Sequence, residues 1–137
     1  MKFDIKINEY KNNIETLKAV ESLEVYRWLI SLGEKLSDDP LTKIKRIEKN
    51  KVKSCQFDLY VDYENGRFKA WSKAMVAGGY AYVLIDIFNS LPLEEAKKIT
   101  VEDFKKIKMD EWFTMNRKTG FYEMIEIMIR KLKNARN

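Results

Sequence analysis

Between Lys73 and Asn89 the chain is apolar on nearly every side. Ala74, Met75, Val76, Ala77, Tyr80, Ala81, Val83, Leu84, Ile85, Ile87 and Phe88 fill one helix length, and Asp86 is the single charge among them. A helix without a polar face cannot lie on a surface, so other elements must wrap it. The stretch is too short, and at Asp86 too polar, to span a bilayer. It therefore predicts a central buried helix over Lys73–Asn89. Gly78 and Gly79 inside it each cost about 1 kcal/mol against Ala. Their presence predicts close backbone contact there, with the hairpin described next as the expected neighbour.

The covering elements follow from periodicity. A first helix is expected over Asn8–Ala19, with Ile14 and Leu17 on its apolar side. Ser22 is the expected N-cap of a second helix to Leu36, in which Val25, Trp28, Leu29 and Leu32 form one stripe. Asp38-Asp39-Pro40 ends it, because the residue before Pro avoids the helical region. From Val52 the period becomes two: Cys55, Phe57, Leu59 and Val61 alternate with Ser54, Gln56, Asp58 and Tyr60, the pattern of a half-buried strand. Asn65-Gly66 tolerates positive φ at both central positions and marks a tight hairpin, with a return strand over Arg67–Trp71. Ser90-Leu91-Pro92-Leu93-Glu94 and Thr100-Val101-Glu102-Asp103 each start a short helix. A long last helix spans Met115–Asn134, with Phe121, Met124, Ile125, Met128 and Leu132 as its core stripe. The expected fold is α+β: a small antiparallel sheet of two to three hairpin-based strands covered by helices. No repeat or linker divides the chain, so residues 1–137 are expected to form one domain.

The residue types present exclude much chemistry. There is no His and one Cys. No internal disulfide can form, no zinc site of the usual kind is available, and no imidazole can serve as a base. The first residues lack the apolar run of a signal peptide, and a reducing cytoplasm is the expected compartment. No cofactor or metal site is expected in this chain.

Charge is unevenly placed. Residues 43–53 carry Lys43, Lys45, Arg46, Lys49, Lys51 and Lys53 against Glu48, a sum of +5 that equals the net charge of the whole chain. Three readings fit: a solvated face, a phosphate-binding patch, or a segment that tunes Cys55 and docks an acidic partner. The patch holds no aromatic residue for base stacking, which weighs against nucleic acid.

Cys55 ends that basic run and is the one strong nucleophile. Lys51 and Lys53 precede it by four and two residues, and nearby positive charge favours thiolate over thiol. Against this, a free Cys in register with Phe57 and Leu59 is also what a core position looks like. Hydrolysis would need an adjacent base that the chain lacks. Sulfur exchange needs only an accessible thiolate and a good leaving thiolate.

Asn50-Lys51-Val52-Lys53-Ser54-Cys55-Gln56, followed by strand, hairpin and buried helix, resembles the Asn-x-Val-x-Gly-Cys-Gln-Ser segment of the SufE family of sulfur acceptors. Tyr26-Arg27-Trp28-Leu29-Ile30-Ser31-Leu32-Gly33-Glu34-Lys35-Leu36 resembles the family's early helix. Thr114-Met115-Asn116-Arg117-Lys118-Thr119-Gly120-Phe121, with Met124-Ile125, resembles the start of its last one. The resemblance implies that Cys55 accepts persulfide sulfur from a SufS-type, pyridoxal-phosphate-dependent cysteine desulfurase and passes it toward an iron–sulfur scaffold. On this reading the chain is a persulfide-carrying accessory protein, not an enzyme, and the cofactor belongs to the partner. It also implies a supporting role for Arg117, and a stimulating effect on the desulfurase. The departures are Ser54 for Gly, Phe57 for a small polar residue, Trp71-Ser72-Lys73 without the usual acid, Ala77 for a basic residue and Met115 for Pro, so the chain looks like a divergent member. Two alternatives differ in class: a binding module with an inert Cys55, and a basic nucleic-acid-binding domain. Whether the chain forms a homodimer is left open.

Overall fold

The computed structural model describes residues 2–55 and 57–135. Gln56 of the cysteine segment lies outside the described residues. The order is α1 (Lys2–Val20), α2 (Ser22–Leu36), two single 3-10 turns (Lys43–Lys45 and Glu48–Asn50), β1 (Leu59–Glu64), β2 (Arg67–Ser72), α3 (Met75–Asn89), α4 (Leu93–Ala96), α5 (Val101–Phe104), two further 3-10 turns (Lys105–Ile107 and Met109–Trp112), and α6 (Met115–Lys133). The chain is thus α+β, with one two-stranded antiparallel sheet among helices.

α3 is the central element. Tyr80, Ala81, Val83, Leu84 and Ile87 are fully buried, with α2, β2, α1 and α6 around it. Its glycines meet α2 above all, and Gly78 also faces the hairpin, where a Cβ would stand 3.7 Å from Ser72 Cβ on β2. A Cβ on Gly79 would stand 2.2 Å from the Leu29 carbonyl oxygen, and one on Gly33 would stand 2.7 Å from that of Met75. Only the absence of both side chains lets the two backbones come this close. Hydrogen-bonding satisfies the one charge in α3: the Asp86 carboxylate accepts from the Tyr10 hydroxyl at 2.6 Å and from Lys6 Nζ at 3.1 Å, both on α1.

α1 starts at Lys2, six residues earlier than the expected Asn8. Phe3, Ile7, Tyr10 and Ile14 fall at helical spacing and are all buried, with Phe3 edge-on to Phe104 at 5.3 Å. That stripe extends the expected apolar side, in which Ile14 is buried and Leu17 packs on the core, by three residues toward the N-terminus. Ser22 is the first residue of α2 rather than its cap; Glu21 holds the N-cap position. The Thr100 capping box forms, with the Asp103 carboxylate accepting from the Thr100 backbone N–H at 2.9 Å. α6 keeps all five expected core residues buried.

The strand expected from Val52 begins only at Leu59. Lys51 bridges to Tyr60, and the Val52 N–H donates to the Leu59 carbonyl at 2.9 Å, so the chain doubles back on itself. The described residues between Val52 and Leu59 belong to a loop closed at that neck, and Phe57 is 52% exposed instead of facing the core. The hairpin turn has positive φ at Asn65 and Gly66, as that dipeptide demands.

The basic segment is built into the fold. Arg46 Nε donates to the Leu41 carbonyl at 2.9 Å, and its guanidinium lies over the Trp71 ring at 4.6 Å. Asn50 is fully buried: it donates to the Lys45 carbonyl and accepts from Lys131 Nζ, both at 2.7 Å. Lys131 also reaches Asp62 at 3.1 Å, so one ammonium joins the basic segment, β1 and α6.

Candidate functional site

The closed loop presents Cys55. Its backbone N–H donates to the Val52 carbonyl at 3.2 Å, which curls the chain just before the thiol. Ser54 gives both its N–H (2.8 Å) and its hydroxyl (2.7 Å) to one Glu123 carboxylate oxygen on α6. Ser54 has no left-handed φ, so the serine in place of glycine is unstrained, and its side chain adds a tether. Cys55 itself is half-buried, neither a sealed core residue nor a free tip.

The thiol opens on a groove of about 690 Å³. Cys55 and Phe57 form one wall. A second is the chain entering α3, from Lys73 to Ala77, and a third is the start of α6, Thr114, Asn116 and Arg117. Leu59, the expected apolar neighbour of the thiol, is buried in the sheet instead. Ile30, Ala74, Val76 and Ala77 supply the apolar lining. Two long helices therefore begin at this groove. Unpaired N–H groups in a first turn carry partial positive charge. Lys73 and Arg117 add two whole charges.

Beneath the loop lies Tyr80, fully buried, with its hydroxyl 4.0 Å from Cys55 Sγ. Its ring sits between Phe113 at 5.4 Å and Phe121 at 5.6 Å. Gly120 makes room for this arrangement: a Cβ there would stand 2.8 Å from the Tyr80 hydroxyl and 3.8 Å from Cys55 Cβ. Burial keeps the phenol protonated well above the ordinary tyrosine range, and the Cys55 and Glu123 charges push the same way while Arg117 opposes them.

The residues expected to matter divide three ways. Cys55 and Arg117 come together on the groove. Lys53 is exposed on the loop, and Lys51 sits 3.5 Å from the Asp58 carboxylate; neither lines the groove. Lys73, at the junction where the resembled family carries an acid, does line it. Tyr80, Gly120 and Glu123 were not picked out for the site from the sequence, since they reach it from helices distant in the chain. Gly120 alone had a signal, inside the segment quoted from the last helix. Among the described residues no group of three or more His, Cys, Asp or Glu is placed to hold a metal ion, and no helix is long and apolar enough to cross a membrane.

The SufE family model, described as an Fe-S metabolism associated domain, matches residues 11–132. An uncharacterized SufE-like protein of Synechocystis sp. is 28% identical over 110 residues, which span 77% of this chain and 68% of that protein.

Proposed function

This chain belongs to the SufE family, a family associated with Fe-S metabolism, and on that premise we propose that Cys55 is a persulfide carrier. It takes sulfur from a SufS-type cysteine desulfurase, stimulating that enzyme, and hands it to an iron–sulfur scaffold in a reducing cytoplasm. The described residues work as one unit, since their buried side chains form one cluster. The carrying observation is that the chain's one thiol opens on a groove built from the first turns of α3 and α6.

The step is a thiol–persulfide exchange. The Cys55 thiolate attacks the terminal sulfur of a cysteine persulfide offered by the partner. A bond forms between the two sulfurs while the partner's own S–S bond breaks. The electron pair of that bond leaves on the partner's thiolate, and the terminal sulfur keeps its proton. No oxidant is needed, because the disulfide-level sulfur simply changes carrier. Pyridoxal phosphate stays in the partner, where it releases sulfur from free cysteine.

The groove suits an anionic sulfur on both sides of that exchange. Arg117, Lys73 and two helix starts favour negative charge beside Cys55. Lys53 adds a solvent-screened charge, and Lys51 a share of one, since Asp58 takes part of it. The apolar part of the lining slows oxidation of a loaded sulfur between transfers.

Intact mass after mixing with a SufS-type desulfurase, pyridoxal phosphate and cysteine tests this. The expected gain is about 32 Da per sulfur, removable by a reducing thiol and absent from Cys55→Ser, which should still fold. A gain retained by Cys55→Ser overturns the assignment. So does an unchanged mass when Cys55 still reacts with a small alkylating reagent.

A further inference from the structure

The phenol under the loop has no role in that account, and its surroundings assign it one. A buried hydroxyl ordinarily finds a hydrogen-bond partner. Among the described residues, the partner of the Tyr80 hydroxyl is Cys55 Sγ, at the long end of an O–H to sulfur contact. The ring cannot swing elsewhere, held as it is between Phe113 and Phe121. Space for the hydroxyl exists only because residue 120 has no side chain.

From this geometry we infer that Tyr80 is a hydrogen-bond donor to the reacting sulfur, positioning it for attack and stabilising the negative charge that develops on it. A thiol is a poor acceptor and a thiolate a good one, so the donated O–H discriminates between the two forms. The donor keeps its proton through the reaction: no bond to hydrogen breaks, and the contact shortens as charge builds on sulfur. The inference rests on the sulfur-acceptor reading and names the residue that prepares its sulfur.

Other charged groups near the thiol are Arg117 and Glu123 on α6, Lys73 ahead of α3, and Lys51, Lys53 and Asp58 on the loop and its neck. Tyr80→Phe leaves them all in place and preserves ring packing. That makes it the variant to compare with wild type in the rate of alkylation by iodoacetamide across pH.

Two effects oppose each other. Losing the donor leaves less of the reactive anion at neutral pH. The thiolate that remains is more nucleophilic, since reactivity rises with basicity. The variant should therefore alkylate about threefold slower at pH 7 and about threefold faster at high pH, so the two profiles cross. A ring that only fills space would give parallel profiles, and parallel profiles overturn the inference. If Tyr80→Phe does not fold, wild type still decides: the Tyr80 ring-carbon NMR signal next to the hydroxyl must move as Cys55 ionises, and a signal that stays still overturns it. Alkylation needs no desulfurase, so the two readings fail separately. Crossing profiles without persulfide would sink the acceptor reading alone, and persulfide with parallel profiles would sink only the role of Tyr80.

Discussion

Ser54 and Glu123 set how firmly the reactive loop is held. Both bonds end on one carboxylate oxygen, at 2.7 and 2.8 Å, and they join residues 69 apart in the chain. Replacing Glu123 by Ala removes both bonds at once. The expected stability loss is about 1 kcal/mol, below the usual value for two bonds to a charged group because the site is exposed. Amide exchange should quicken across residues 53–58 and stay unchanged in α3. Exchange that is equally slow in both proteins would mean that the neck alone orders the loop. A Ser54→Gly variant should fall between the two, since it keeps the backbone bond and loses the hydroxyl. None of this was legible beforehand. A serine next to the cysteine shows only that glycine is missing, and nothing in the chain says that an acid far along α6 stands opposite.

At the scale of elements, α2 and α3 meet backbone against backbone, through Gly33 on one and Gly78 and Gly79 on the other. Gly79→Ala would put a methyl group 2.2 Å from the Leu29 carbonyl oxygen, which is backbone and cannot turn aside. The helices must separate, and a loss of about 3 kcal/mol or more is expected, read as a lower urea midpoint. An unchanged midpoint would show that α2 slides freely over α3. The helices themselves were readable: the all-round apolar pattern placed α3, and the core stripe of α6 was right at every residue. The hairpin turn was also readable, from Asn65-Gly66. The strand before it was not. Cys55, Phe57, Leu59 and Val61 alternate without a break, yet the chain reverses between Val52 and Leu59. Period counting cannot see a reversal that keeps the alternation intact. The glycine contact is legible and Gly78 does face Ser72 of the hairpin, but the closer partner, α2, is not, because nothing in the sequence pairs Gly33 and Leu29 with these glycines.

The whole molecule has no histidine, so no imidazole titrates near neutrality. Buried phenols give its stability a pH response at the alkaline end. Tyr10 and Tyr80 are held protonated far above the usual value, first by burial and then by Asp86 and Cys55 respectively; Tyr122 is pushed up to about 12, by burial first and then by Asp110. For a group raised in the folded state, the neutral form is common to both states below the unfolded value of 10.0, and its contribution to stability is fully present there. Above it, the unfolded chain ionises while the folded one resists, and stability falls through the folded values. Urea unfolding should thus show little phenol-driven change from pH 7 to about 10 and a decline beyond; a decline beginning near neutrality would contradict this. One further consequence follows from the neck that closes the cysteine loop. A segment whose two ends meet at the Lys51–Tyr60 bridge and the Val52–Leu59 hydrogen bond adds little closure cost when its length changes. Extra residues inserted between those two ends should therefore cost little stability, with the frame of α3 and α6 left as it is.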